Sequence, residues 1–155
     1  MKRILKYTGI LLLILLINTS CKKNKIDNEY FENNDWELYK VNRFDDNNTQ
    51  NDITYLYLDK DCRKNNSNRF FSNNLYVYQD ECPDELSDPY YYDTLHWYYD
   101  NEEQTKLHLY SVTDTSKEYP YFFFEILKVN ETELELKEIP LYEEGYYYIR
   151  YFNLK

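Results

Sequence analysis

Apolar and polar residues divide the chain into a leader, a polar stretch and a long series of short alternating segments. Residues 10–17 are an unbroken apolar run, with Lys2, Arg3 and Lys6 before it and Asn18, Thr19, Ser20 and Cys21 after it. A positive start, a short apolar core and small residues at its end predict a secretory signal over residues 1–20. The apolar core is shorter than the ~20 residues an ordinary membrane span needs. Residues 22–35 are polar and rich in asparagine, without a period, and predict a flexible tether over 21–34.

From residue 35 to 155 the pattern reads as one domain of short strands separated by turn-rich stretches. Residues 36–43 alternate, with Trp36, Leu38 and Lys40 on one face. Further strands are predicted at 53–58, 75–78, 91–99, 106–112, 121–129, 132–139 and 145–152. Residues 45–52 and 65–68 read as loops and 80–89 as a long acidic loop. Pro140 interrupts the ladder because it has no amide hydrogen to donate. Eight such strands suit an all-β, eight-stranded antiparallel up-and-down barrel, in which closure removes exposed edges. The competing architecture is a β-sandwich with Trp36 and Trp97 in its core.

Pairing Tyr99 with Thr105 sets Trp97 opposite Leu107 and Leu95 opposite Leu109, which gives the hairpin one apolar face. The same register sets His96 opposite His108 on the other face. Two histidines can chelate zinc or copper, but no third ligand is evident, and two solvated histidines are the expectation. No metal or cofactor is therefore predicted. The carboxylates of Asp80, Glu81, Asp84, Glu85 and Asp88 match no calcium loop and read as a solvated acidic loop.

Composition sharpens the picture at three points. The chain has 20 tyrosines, 2 glycines and no alanine, a bias toward strands and half-wet surfaces. Residues 1–20 hold three of the 18 basic residues and none of the 28 acidic ones, so the rest carries 15 against 28, a balance of −13. That leaves no basic stripe for nucleic acid and no charge-driven docking on anionic lipid. Among three cysteines, Cys62 and Cys82 form a candidate disulfide in an exported chain.

Ser20 directly before Cys21 resembles the lipobox of bacterial lipoproteins, although Asn18 stands where a leucine is usual. The resemblance implies lipidation of Cys21 and a membrane anchor. The absence of an aspartate directly after Cys21 implies the outer membrane of the cell envelope, with the face left open. Within the domain, Asp35-Trp36-Glu37-Leu38, residues 94–99 running into Lys106-Leu107-His108-Leu109, residues 124–136 and Tyr148-Ile149-Arg150-Tyr151 resemble the lipocalin-like lipoproteins of Bacteroidetes. Asn34 replaces the lipocalin glycine. The resemblance implies that Trp36 closes one end of the barrel and stacks with Arg150. Asp93-Thr94-Leu95 also resembles an O-glycosylation acceptor motif of that group.

Three functions follow for such a chain. The first is binding of a small hydrophobic or glycan ligand in a barrel lined by Trp36, Leu38, Tyr55, Tyr57, Trp97, Leu107, Leu109, Phe122, Phe124, Ile126, Leu134, Leu136 and Tyr148. The second is a filled barrel that contacts an envelope protein through an acidic, tyrosine-rich surface, with Tyr90–Tyr92 and Tyr146–Tyr148 as candidate patches. The third, an enzyme, is disfavoured, because no nucleophile elbow or triad context is present.

Overall fold

A computed structural model describes residues 28–79, 94–142 and 144–155. The leader, Cys21, Cys82, the acidic loop, Tyr90–Tyr92 and Asp93 lie outside the described residues. The elements are a one-turn helix α1 (Asn28–Phe31) and strands β1 (Asp35–Asp45), β2 (Gln50–Asp52), β3 (Ser67–Phe70), β4 (Leu75–Gln79), β5 (Thr94–Tyr99), β6 (Lys106–Ser111), β7 (Phe122–Val129), β8 (Glu133–Ile139) and β9 (Tyr146–Leu154). Two 3-10 turns, Thr54–Leu56 and Asp61–Asn65, lie between β2 and β3.

Strands β1, β3 and β4 to β9 pair in that order, and β9 returns to pair with β1. Every pairing is antiparallel. The result is the closed eight-stranded up-and-down barrel, with the short β2 added against the second half of β1. Bulges fall in β1 between Leu38 and Lys40 and in β7 between Ile126 and Lys128. A bulge bends and twists its strand, which helps a sheet close. The first bulge also corrects the expected facing of Lys40. Val41 takes the inward place, opposite Arg150, and is fully buried.

Several segments depart from the sequence expectation: residues 50–52, expected within a loop, pair with β1 as β2. Residues 53–58 are not a strand. Asp52 Oδ1 accepts from both the amide and the hydroxyl of Thr54, and Val41 N donates to Thr54 Oγ1 at 3.0 Å. These local bonds compete with a ladder and turn the chain into a 3-10 helix. The missing strand is β3, expected as a loop because its neighbourhood is so polar. Asn66, Ser67 and Asn68 are all buried there. The two asparagines are satisfied by partners: Tyr76 Oη donates to Asn68 Oδ1 at 2.6 Å, Asn68 Nδ2 donates to the Trp36 carbonyl at 3.3 Å, and Asn66 bonds Tyr78.

The β5–β6 hairpin closes two residues away from the expected register. Trp97 pairs with Leu109 and Tyr99 with Leu107, so His96 faces Tyr110 and His108 faces Tyr98. The Asn101 side chain causes the shift. Its Oδ1 accepts from the amides of Thr105 and Lys106, and its Nδ2 donates to Thr105 Oγ1. A shift of two preserves the faces, so Leu95, Trp97, Leu107 and Leu109 still point inward, each at most 1% exposed.

The core fills the end of the barrel where β1 begins and β9 ends. Phe31, predicted within the tether, is instead buried there. Its ring lies 4.5 Å from Phe70 and edge-on to Trp97 at 5.6 Å. Trp36 Nε1 donates to the Phe31 carbonyl and Trp97 Nε1 to the Phe71 carbonyl, so both buried indoles keep a hydrogen-bond partner.

Candidate functional site at the far end of the barrel

The inward positions change character toward the opposite end. On β8 they run Leu134, Leu136, Glu138; on β9, counted back from the C-terminus, they run Phe152, Arg150, Tyr148. One apolar layer, Leu134 with Phe152, thus gives way to the diagonal ion pair of Arg150 and Glu138. Arg150 Nε donates to Glu138 Oε2, and the side chains are 20% and 11% exposed. The guanidinium lies 5.1 Å from the ring centre of Tyr57, which the 3-10 turn carries over this end. Burial alone would lower the Arg150 pKa, but Glu138, Tyr57 and Tyr76 outweigh it and raise it. Burial likewise pushes the Tyr76 phenol well above its usual value, against the pull of Arg150.

Above the ion pair is a hollow of about 270 Å³, lined by Tyr57, Tyr121, Phe122, Glu138, Ile139, Pro140, Leu141, Tyr142 and Tyr148. Its volume lies just below that of ordinary small-molecule sites, which start at about 300 Å³. The rim is open: Tyr142 is 95% exposed, and Tyr121, Ile139 and Leu141 are exposed as well. Aromatic walls and a charged floor therefore meet in one place.

The structure sorts the residues expected to line a ligand cup. Trp36, Trp97, Leu107, Leu109, Ile126, Leu134, Leu136 and Phe124 are buried in one continuous core, with Leu38 and Phe122 packed against it. They fill the barrel. Tyr57, Phe122 and Tyr148 line the hollow, whereas Tyr55 points to solvent and is 67% exposed. Glu138, Tyr121 and residues 139–142 were missed. The signal for Glu138 was present in the sequence, as an acidic residue in the inward phase of Leu134 and Leu136.

Arg150 also departs from expectation. It stacks on Tyr57, because Trp36 pairs with Leu154, four residues further along β9. At the strand rise of about 3.3 Å per residue that separates the two levels by roughly 13 Å. The histidines do not converge: His96 Nδ1 is 3.3 Å from the Asn74 carbonyl, while His108 sits edge-on to Phe123 at 4.0 Å and 3.5 Å from Asp100. Among the described residues no group of three His, Cys, Asp or Glu side chains could hold a metal. Cys62 is disulfide-bonded.

Of the tyrosine run in β9, Tyr147 stacks on Phe44 at 4.9 Å and lies under Lys137, while Tyr146 is exposed and lies beneath Arg43. Among the described residues no helix is long and apolar enough to cross a membrane. Comparison with protein families, with curated proteins and with solved structures found no match for this chain.

Proposed function

We propose that this chain is a lipid-anchored, lipocalin-like protein of the cell envelope that binds a small hydrophobic or glycan ligand at the far end of its barrel. The carrying observation is the hollow itself, with Tyr57, Phe122 and Tyr148 around Glu138. The site lies above the packed layers, because the barrel's middle and α1 end are occupied by the protein's own side chains. Anchoring rests on the leader and Cys21 in the sequence, and an outer-membrane position on the residues after that cysteine.

The filled core favours a second reading, in which the protein is a non-enzymatic envelope module that contacts another protein. The surface for it is the same rim, where Tyr142, Leu141, Ile139 and Tyr121 are exposed together. Tyrosine gives such contacts large area at low entropic cost.

Native mass spectrometry of the full chain extracted from membranes separates the two. Extra mass that is lost on denaturation, beyond any lipid covalently held at Cys21, is the outcome expected for ligand binding. A bare protein mass, together with cross-links from the rim to one envelope protein, would replace the first reading with the second.

A further inference from the structure

We propose that the hollow is a saccharide site, with Glu138 accepting hydrogen bonds from ring hydroxyls and the tyrosines stacking on the sugar's C–H faces. This deepens the ligand-binding reading and rests on it. The choice of ligand class comes from the floor. Glu138 is the charged residue in that lining, and its side chain keeps 11% of its surface exposed to water. An alkyl chain laid over it would remove that water and return no hydrogen bond, which is costly for a charged group. A sugar ring replaces the water with hydroxyl donors, for which an ionised carboxylate is an acceptor with several lone-pair positions. Arg150 holds Oε2 of Glu138 through its Nε, which fixes the carboxylate's orientation toward the hollow.

The walls match the other half of a sugar. Tyr57, Tyr121, Tyr142 and Tyr148 surround the floor together with Phe122. The faces of aromatic rings are electron-rich and attract the weakly positive hydrogens on carbon. A saccharide has both surfaces at once, hydroxyl edge and C–H face, and the hollow offers the complement of each. Its roughly 270 Å³ suits a single sugar unit, with Tyr142 free to contact a neighbouring unit outside.

The test is an NMR titration of the full chain in lipid nanodiscs, following tyrosine ring signals. The probes are glucose, mannose, N-acetylglucosamine and their disaccharides, with dodecanoate in parallel and its uptake by empty nanodiscs subtracted. The expected result is that at least one saccharide shifts Tyr57, Tyr121 and Tyr148 and leaves Tyr98, on the outer face of β5, unmoved. Glu138→Gln should then weaken binding roughly tenfold, the scale of a hydrogen bond to a charged group. Because that change touches a buried ion pair, Tyr142→Ala is the second variant. It removes an exposed ring and should weaken disaccharide binding about fivefold. Dodecanoate shifting these signals while no saccharide does would overturn the saccharide class and leave the ligand site standing. Silence from both probes would end both readings, and unchanged affinity in both variants would remove the saccharide from this hollow.

Discussion

At the scale of single residues, the far end of the barrel depends on one charge holding another. Glu138 is 8% exposed and its role is to compensate Arg150 inside a sheet of aromatic neighbours. Removing one partner of such a pair leaves a charge with little water and no counter-ion. Glu138→Ala should therefore destabilise the fold by about 3–5 kcal/mol, read as a lower urea midpoint. The double change Glu138→Leu with Arg150→Met should recover most of that loss, because apolar replacements of similar size remove the desolvation cost together with the attraction. A double variant no better than the single one would assign the pair's value to its geometry with Tyr57. His108 offers a second residue-scale test. Burial against Phe123 holds its pKa below the ordinary value, and Asp100 only partly opposes this. In the unfolded chain the imidazole takes its proton near pH 6.5, and in the folded chain only at lower pH. Between those two values the unfolded state binds more protons, so stability should fall as pH drops from about 6.5 toward the folded pKa and be insensitive to this group well above pH ~6.5. His108→Gln should flatten that slope in denaturation measured across pH 7 to 5, and a direct NMR titration should give a midpoint below 6.5 for His108.

At the scale of elements, local side-chain chemistry decides what hydrophobic alternation alone does not. The strands β4 to β9 were legible because most of their inward residues are large and apolar or aromatic in alternation, as in Leu95 and Trp97 or Leu134 and Leu136. The strand β3 was not, because it buries Ser67 and Asn68, and the partners of Asn68, Tyr76 and Trp36, lie on other strands. The run 53–58 alternates well enough to read as a strand, yet Asp52 and Thr54 turn it by bonding their own backbone. The hairpin register was off by two because a single asparagine builds the loop. Asn101→Ala should cost about 1 kcal/mol per lost bond at most, with its largest effect on amide-exchange protection at Thr105 and Lys106. The site was half legible: Tyr57, Phe122 and Tyr148 stood out as aromatic inward residues, whereas residues 140–142 follow a strand end and have no period to read. The element least expected is α1, which converts the end of a predicted tether into a plug. Phe31→Ala should cost about 3–5 kcal/mol, the range for emptying a buried phenylalanine site, and should expose the Trp36 and Trp97 indoles to a fluorescence quencher. An unchanged midpoint would mean that α1 rests on the barrel without stabilising it.

At the scale of the whole molecule, the proposed membrane anchor turns on how the three cysteines are used. Cys62 is disulfide-bonded, and its partner lies outside the described residues. The chain supplies two candidates, Cys21 and Cys82. If the Cys21 sulfur bears a lipid, Cys82 is the remaining intramolecular choice, and the bridge ties the 3-10 turn before β3 to the acidic loop before β5. The expected outcome is therefore double. Protein extracted from membranes and unfolded without reductant should show no titratable thiol, and a non-reducing digest should yield a peptide joining Cys62 to Cys82. Reduction should then lower stability by roughly 3 kcal/mol, the scale for closing a loop of this length. One free thiol with a Cys62–Cys82 peptide would keep the bridge and remove the lipid. A Cys62–Cys21 peptide would do more, because it would fasten the leader end to the barrel and leave the protein without its anchor. The same digest thus decides whether the hollow beside Tyr57 is held on a membrane-tethered protein or on one released from the membrane.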